Sequence, residues 1–335
     1  MLQKLDFFSD GKEFELIEAM FDYSQFSRQG LGLGDDGYVF ALGKSNFVIS
    51  TDSSVENIHF NLNWCSPEIA LKKAVISNLS DINAMGGESS LVLFNLGALK
   101  TWNKTNFKRL GDILKQLQNR YQFKICGGDL VRKEKECFFS LTILGSLPGE
   151  PLLRSNARPG HSIYLSGMVG TAYAGFKILS DKTGKYKRFK KEDRIKARDF
   201  VISKFHSPQI SQKLGPFLGS LGKKISCIDI SDGLSSELHH LAKQSNCRMT
   251  IYEKLIPYYK GLPLLFDSDR QKEMVLHGGE DYQLLFTGAF SKLELKKINQ
   301  IVKVYEIGQV TKGKGVFIET SDNKKQALAA LGWSH

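Results

Sequence analysis

Six stretches of the chain end in aspartate beside glycine or serine: GLGDD (32–36), ISTD (49–52), NLSD (78–81), CGGD (126–129), IDISDG (228–233) and HGGED (277–281). Glycine permits close backbone approach and φ > 0, so such ends can wrap a ligand that a bulkier residue would exclude. If they converge, the site holds many carboxylates and few local bases. A cluster of that kind repels itself unless cations fill it, and an all-oxygen donor set favours Mg²⁺ or a similar hard ion. Magnesium keeps several waters and takes only one or two carboxylates plus substrate phosphates. So acidic a set therefore points to several Mg²⁺ ions around a polyphosphate, the apparatus of phosphoryl transfer. The sequence contains neither a Walker A GxxxxGK[ST] nor a kinase HRD and DFG set, which removes the common nucleotide-binding designs.

Each acid also has a plainer reading. GDDG is a good turn sequence, Asp232 ahead of GLSSELHHLAKQ could cap a helix, and HGGED could be a loop entering the apolar run YQLLF. Asp52 closes the strand FVIS, and a carboxylate there must be hydrogen-bonded, paired or bound to a cation, because desolvating it alone is too costly. Asp81 is harder to explain away. It falls in the C-terminal half of a predicted helix, where the macrodipole disfavours an anion by roughly 0.3–1 kcal/mol.

These residues need strands and helices to carry them. SPEIALKKAVISNLSDINAMGG reads as a helix with Ser66 as N-cap, Pro67 at its first position, Glu68 in the first turn and Gly86–Gly87 as its stop. Asn78 and Asp81 share one of its faces, beside the apolar face of Ala74, Val75, Leu79 and Ile82. Further helices are predicted at 13–21, 104–120, 170–180, around 194–220, 233–245 and 291–301. Strands are predicted at 47–51, 91–98, 123–126, 138–144, 161–166, 225–230, 248–252, 282–287 and 304–310. This alternation indicates an α/β or α+β protein. Proline and glycine concentrate in GSLPGEPLL (145–153), which divides the chain into an N-terminal domain, 1–148, and a C-terminal one, 149–335.

Composition narrows the class. The 335 residues are 24% charged and 41% hydrophobic, ordinary for a globular protein. Apolar runs such as LVLFNLGAL (91–99) fall short of the roughly 18–20 residues a membrane span needs, and the acid-containing start reads as no signal peptide. The five cysteines (Cys65, Cys126, Cys137, Cys227 and Cys247) form no CxxC pair, which speaks for a reducing cytoplasm, with Cys126 and Cys227 as small core residues. The net charge of +11 would draw in small polyanions such as nucleotides. The dense basic run at 182–198 is interrupted by acids and reads as a solvated face rather than a nucleic-acid site.

In their order and spacing, GLGDD, ISTDSSVENIHF, KAVISNLSDINAMGG, ICGGD, LLRSNARPGH, YLSGMVG, IDISDGLSSELHHLAKQS and HGGEDYQLLFT resemble the thiamine-monophosphate kinases. That family lies within the superfamily of aminoimidazole ribonucleotide synthetase and selenophosphate synthetase. The resemblance spans almost the whole chain. It implies two α/β domains, a homodimer built largely through the N-terminal domains, and phosphorylation of thiamine monophosphate by ATP to thiamine diphosphate. By position it makes Asp36, Ser50, Thr51, Asp52, Asp81, Asp129, Asp229 and Asp232 magnesium ligands. Gly128, Asp129, Arg154 and Ser231 match ATP contacts, and His59, Glu280 and Trp333 match residues that hold the thiamine substrate. The acceptor is a phosphate oxygen already ionised at neutral pH, so neither a dedicated base nor a covalent nucleophile is expected.

The chain departs from the family pattern at Leu130 and Val131, where GGD is normally followed by two threonines. It departs also at Gly37 and Tyr38 after GDD, and at Gln209 in HSPQ, where arginine is usual. Competing readings are another ATP-using enzyme of the superfamily and a nucleotide-binding protein without turnover. Selenophosphate synthetase needs a reactive thiol in a glycine-rich N-terminal stretch, and the first cysteine here is Cys65. The hydrogenase-maturation relative ends in a functional cysteine, whereas this chain ends GWSH.

Overall fold

The computed structural model describes residues 34–188 and 191–332. The predicted helix at 13–21 and Trp333 lie outside the described residues. From Gly34 the chain runs β1 (Tyr38–Leu42), β2 (Ser45–Val55), α1 (Pro67–Ala84), β3 (Glu88–Leu99), α2 (Lys104–Tyr121), β4 (Lys124–Lys133) and β5 (Phe138–Leu147). The strands form a five-stranded sheet in the order β1-β2-β5-β3-β4. Among the described strands of this sheet only β3 and β4 pair in parallel, and α2 supplies the crossover such a pair requires.

Helix α1 begins and ends where its local chemistry dictates. The Ser66 hydroxyl accepts from the Ile69 amide at 3.4 Å, and Pro67 opens the first turn. Gly86 lies at φ +85 after the helix, and a Cβ on Gly87 would meet the Val48 side chain at 2.6 Å. Its single apolar face understates its surroundings. Lys73, Ser77, Asn78, Ser80 and Asn83 are buried as well, because α1 packs on β2 and β5 on one side and on elements of the second sheet on the other.

The second half contains β6 (Ser162–Leu165), α3 (Thr171–Leu179), α4 (Glu192–His206), α5 (Leu214–Ser220), β7 (Ser226–Asp229), α6 (Leu234–Gln244) and β8 (Arg248–Tyr252). It continues with α7 (Ser268–His277), β9 (Leu284–Gly288), α8 (Lys292–Ile301), β10 (Tyr305–Thr311), β11 (Gly315–Glu319) and β12 (Lys325–Ala327). Its seven strands run β12-β11-β8-β10-β6-β9-β7. Ile163, Leu165 and Leu285 face one core with Leu234 and Leu238, while Tyr164, Leu284 and Phe286 face another with Leu214, Leu218 and Ile298. Both faces are covered, which is why these strands read as unbroken apolar runs. The molecule is a mixed α/β protein, as its sequence indicates.

α5 ties the halves together. The Gly215 amide donates to the Asn83 side-chain oxygen at 2.9 Å, and a Cβ on Gly215 would lie 1.9 Å from the Asn83 carbonyl oxygen. Sequence reading misses β1, α7, β11 and β12. In α7, Ser-Asp-Arg-Gln-Lys-Glu precedes the buried pair Met274 and Val275, so too few apolar positions remain to show a period. Cys126 is a correction: it is exposed, because β4 is an edge strand, whereas Cys227 is buried as expected.

Candidate active site

Three acids from three separate segments meet beside α1, which contacts strands of both sheets. Asp36 comes from the turn before β1, Asp81 from the late turns of α1 and Asp229 from the end of β7. One carboxylate oxygen from each lies within 4.8 Å of the others. The Ser50 hydroxyl, on β2, donates to Asp81 Oδ2 at 2.8 Å. Oδ2 of Asp36 and Oδ2 of Asp229 are buried without a hydrogen-bond partner, which is costly unless a further group arrives.

The electrostatics point the same way. Burial, then the Asp229, Asp52 and Asp36 carboxylates, push the Asp81 carboxyl well up from the usual range. Burial and Asp36 push Asp229 up to about 8. Closely spaced acids with unused oxygens are the donor set of a hard divalent cation, so the residues fit magnesium.

The neighbouring loop is organised by a residue that motif reading overlooks. Glu237 Oε1, in the first turn of α6, accepts from the Ser231 and Asp232 amides at 3.1 and 2.8 Å. Asp232 does not cap α6: Gly233 holds the N-cap position, with no side-chain cap. Glu237 is itself pushed up by burial and by Asp232. The only sequence signal for it is an acid in the first turn of a helix.

Arg154 closes the other side. Its Nη2 donates to Asp36 Oδ1 at 2.6 Å, its Nη1 to the Gly34 carbonyl at 2.8 Å, and its amide to Asp35 Oδ1 at 2.6 Å. Asp35 is pushed up to about 6, chiefly by burial.

Strand periodicity sorts the remaining predicted ligands. Ser50 and Asp52 point toward α1, where the Ser77 hydroxyl donates to Asp52 Oδ2 at 3.2 Å. Thr51 differs from both in where its side chain points. Its hydroxyl points to the opposite face of the sheet, donating to the Leu141 carbonyl at 3.1 Å and lying 3.0 Å from the Thr142 hydroxyl. Gly128 and Asp129 are also not gathered within this chain. They lie on edge strand β4, with β5 and β3 between it and β2, about 14 Å away at the usual strand spacing of ~4.8 Å. Asp129 is exposed, and its Oδ1 accepts from the Leu130 amide at 2.9 Å.

His59 and Glu280 do meet, in a cavity of about 220 Å³ walled by Trp64, Phe176 and Phe205. The Trp64 and Phe176 rings lie edge to face at 5.9 Å, and Phe176 and Phe205 are tilted at 5.8 Å. The His59 Nδ1 accepts from the Val55 amide at 3.1 Å, which fixes the ring at the cavity edge. Behind the wall stands Lys73, buried, paired with Glu280 and donating to the His59 carbonyl at 3.2 Å. The three aromatics and Lys73 are absent from the sequence-derived set, because each reads locally as core or surface. Asp281, next to Glu280, has another task. It accepts from the Gly170 and Ala172 amides at 2.5 and 2.9 Å and so anchors the start of α3.

The arrangement is a three-carboxylate cation seat and an aromatic cavity joined by α1. Lys73 and Asp81 lie eight residues apart on that helix, about 12 Å along its axis at 1.5 Å per residue. Residues 34–147 match the family model described as AIR synthase related protein, N-terminal domain. The thiamine-monophosphate kinase of Bacillus subtilis (strain 168) is 30% identical over 334 residues, covering 96% of this chain and 99% of the relative. That of Escherichia coli (strain K12) is 35% identical over 279 residues, 82% of each chain. A solved structure described as AaThiL complexed with AMPPCP and TMP is similar with a TM-score of 0.80 and 26% identity, over 96% of both chains.

Proposed function

The chain belongs to the thiamine-monophosphate kinase family, and from that premise we propose that it moves the γ-phosphoryl group of ATP onto the phosphate of thiamine monophosphate. The products are ADP and thiamine diphosphate. The observation that carries this reading is the meeting of Asp36, Asp81 and Asp229 one helix away from an aromatic cavity lined by His59 and Glu280.

Magnesium held by Asp36, Asp81 and Asp229, with Asp52 and Asp232 beside them, would neutralise the charge of the two phosphate-bearing substrates. The chain's own residues do the rest. Ser50 orients Asp81 through its hydroxyl. Glu237 holds the Ser231–Asp232 turn in place. Arg154, already directed at the cluster, offers a guanidinium to phosphate oxygens. The cavity takes the thiamine rings: its aromatic walls suit a cationic thiazolium, and Glu280 is the acceptor for N–H groups. The attacking oxygen is ionised at neutral pH, so these residues position the substrates in line and need remove no proton.

A coupled ADP-release assay tests the reading. Thiamine monophosphate with ATP and Mg²⁺ should release ADP and form thiamine diphosphate, and omission of Mg²⁺ should stop both. Binding of both substrates without product would instead favour the non-enzymatic alternative.

Gly128 and Asp129 enter this reading through a homodimer. Leu91, Leu93, Leu130 and Val131 are exposed on β3 and β4, and an apolar edge of this kind invites a second copy, which would bring Asp129 to a shared site. Sedimentation equilibrium should give twice the chain mass of 37.6 kDa, and a monomer at micromolar concentration would refute the shared site. No helix among the described residues is long and apolar enough to cross a membrane, and the five free thiols suit a cytoplasmic setting.

A further inference from the structure

Lys73 belongs to no assigned role, yet its ammonium touches three parts of the cavity from behind. It pairs with Glu280, donates to the His59 carbonyl at 3.2 Å and lies 3.9 Å from the centre of the Phe205 ring. His59, Phe205 and Glu280 all line the cavity, whereas Lys73 is only 5% exposed. A buried ammonium persists only where its partners are held in place.

The geometry at Glu280 is specific. The Lys73 ammonium and the Tyr282 hydroxyl, the latter at 3.3 Å, both meet Oε2, so Oε1 is the oxygen left for a ligand. Glu280 also sits at φ 72, a left-handed conformation rare for a residue with a side chain. Such a residue keeps that conformation only because its surroundings hold it there. Its amide donates to the Ser231 carbonyl at 2.7 Å, which fixes the backbone, while Lys73 fixes the carboxylate.

We propose that Lys73 is a positioning residue for the acceptor substrate: by occupying Glu280 Oε2 it turns Oε1 toward an amino-bearing heteroaromatic ring in the cavity. This rests on the thiamine-monophosphate reading above, in which the aminopyrimidine supplies the N–H donor. Lys73, Ser77 and Asp81 are spaced i, i+4, i+8 on α1, so one rigid helix carries both the ring-positioning group and the phosphate-side acid. Lys73 sets where the ring sits relative to the transferred group without touching either.

The test uses the full-length chain as Lys73→Met, Glu280→Gln and the double variant, with thermal melts to show that each is folded. Lys73→Met should raise KM for thiamine monophosphate about tenfold or more, leaving KM for ATP and kcat within about threefold. On the Glu280→Gln background the same change should add nothing, because its route of action is already removed. If Lys73→Met alone does not fold, comparison of the double variant with Glu280→Gln decides the matter, since the double variant leaves no unpaired buried charge. A wild-type KM in Lys73→Met, or independent effects in the double variant, overturns the assignment. Wild-type protein that fails to phosphorylate thiamine monophosphate overturns the functional reading, and this assignment with it.

Discussion

Asp81→Asn should lower turnover by about three orders of magnitude while raising the melting temperature of the metal-free protein. Asp81 contributes one of the three clustered carboxylates, with an oxygen within 4.8 Å of oxygens of Asp36 and Asp229, and is oriented by Ser50. Asparagine keeps its size and can still accept the Ser50 hydrogen bond, so packing around α1 is preserved. It cannot supply the charge that a divalent ion requires. In metal-free protein the same charge is a burden, since burial and three neighbouring carboxylates push the Asp81 carboxyl upward. Removing it relieves that strain. Thermal melts with and without Mg²⁺, beside the ADP-release assay, separate the two effects. Wild-type protein should gain stability on adding Mg²⁺, and Asp81→Asn should gain little. Undiminished turnover in a folded Asp81→Asn protein would refute the site.

Without divalent ions, stability should fall as pH rises from about 4 to about 8. The Asp229 carboxyl is pushed up to about 8 in the fold from the ordinary 3.8, and the Asp281 carboxyl up to about 7, both mainly by burial. Between the ordinary value and these raised ones, the folded chain keeps protons that the unfolded chain has lost. The unfolded state binds fewer protons, so the free energy of unfolding decreases with pH, by at most about 1.4 kcal/mol per pH unit for each such group. Below about pH 4 both states are protonated and the effect vanishes; above about 8 the cost at Asp229 is complete. Mg²⁺ binds the ionised carboxylates, so the gap between curves measured with and without it should widen toward alkaline pH. Urea melts across this range check it, and stability that instead climbs steadily from pH 5 to 8 in chelator would mean that the acids are compensated within the chain.

Much of this molecule could be read locally. The ends of α1 follow from Ser66, Pro67 and the Gly86–Gly87 pair, because capping and left-handed glycine act within a few residues. The acidic ends were legible as a set because each combines an aspartate with small neighbours. Their division was not. Thr51 shares a motif with Ser50 and Asp52 but points to the other face, since side chains alternate along a strand. Asp129 belongs to the same set and lies three strands away, beyond β5 and β3, because strand order is decided by pairing across the sheet.

The sequence by itself determined the chemistry on offer: many acids, no Walker loop, strands covered on both faces and a helix with defined ends. The tertiary structure alone decided which acids meet, that Glu237 holds the Ser231–Asp232 turn, and that Lys73 pairs with Glu280, 207 residues away in the chain. Motifs express interactions between near neighbours. The energy of a buried charge depends instead on what the folded chain brings within a few ångströms of it, and that is a property of packing.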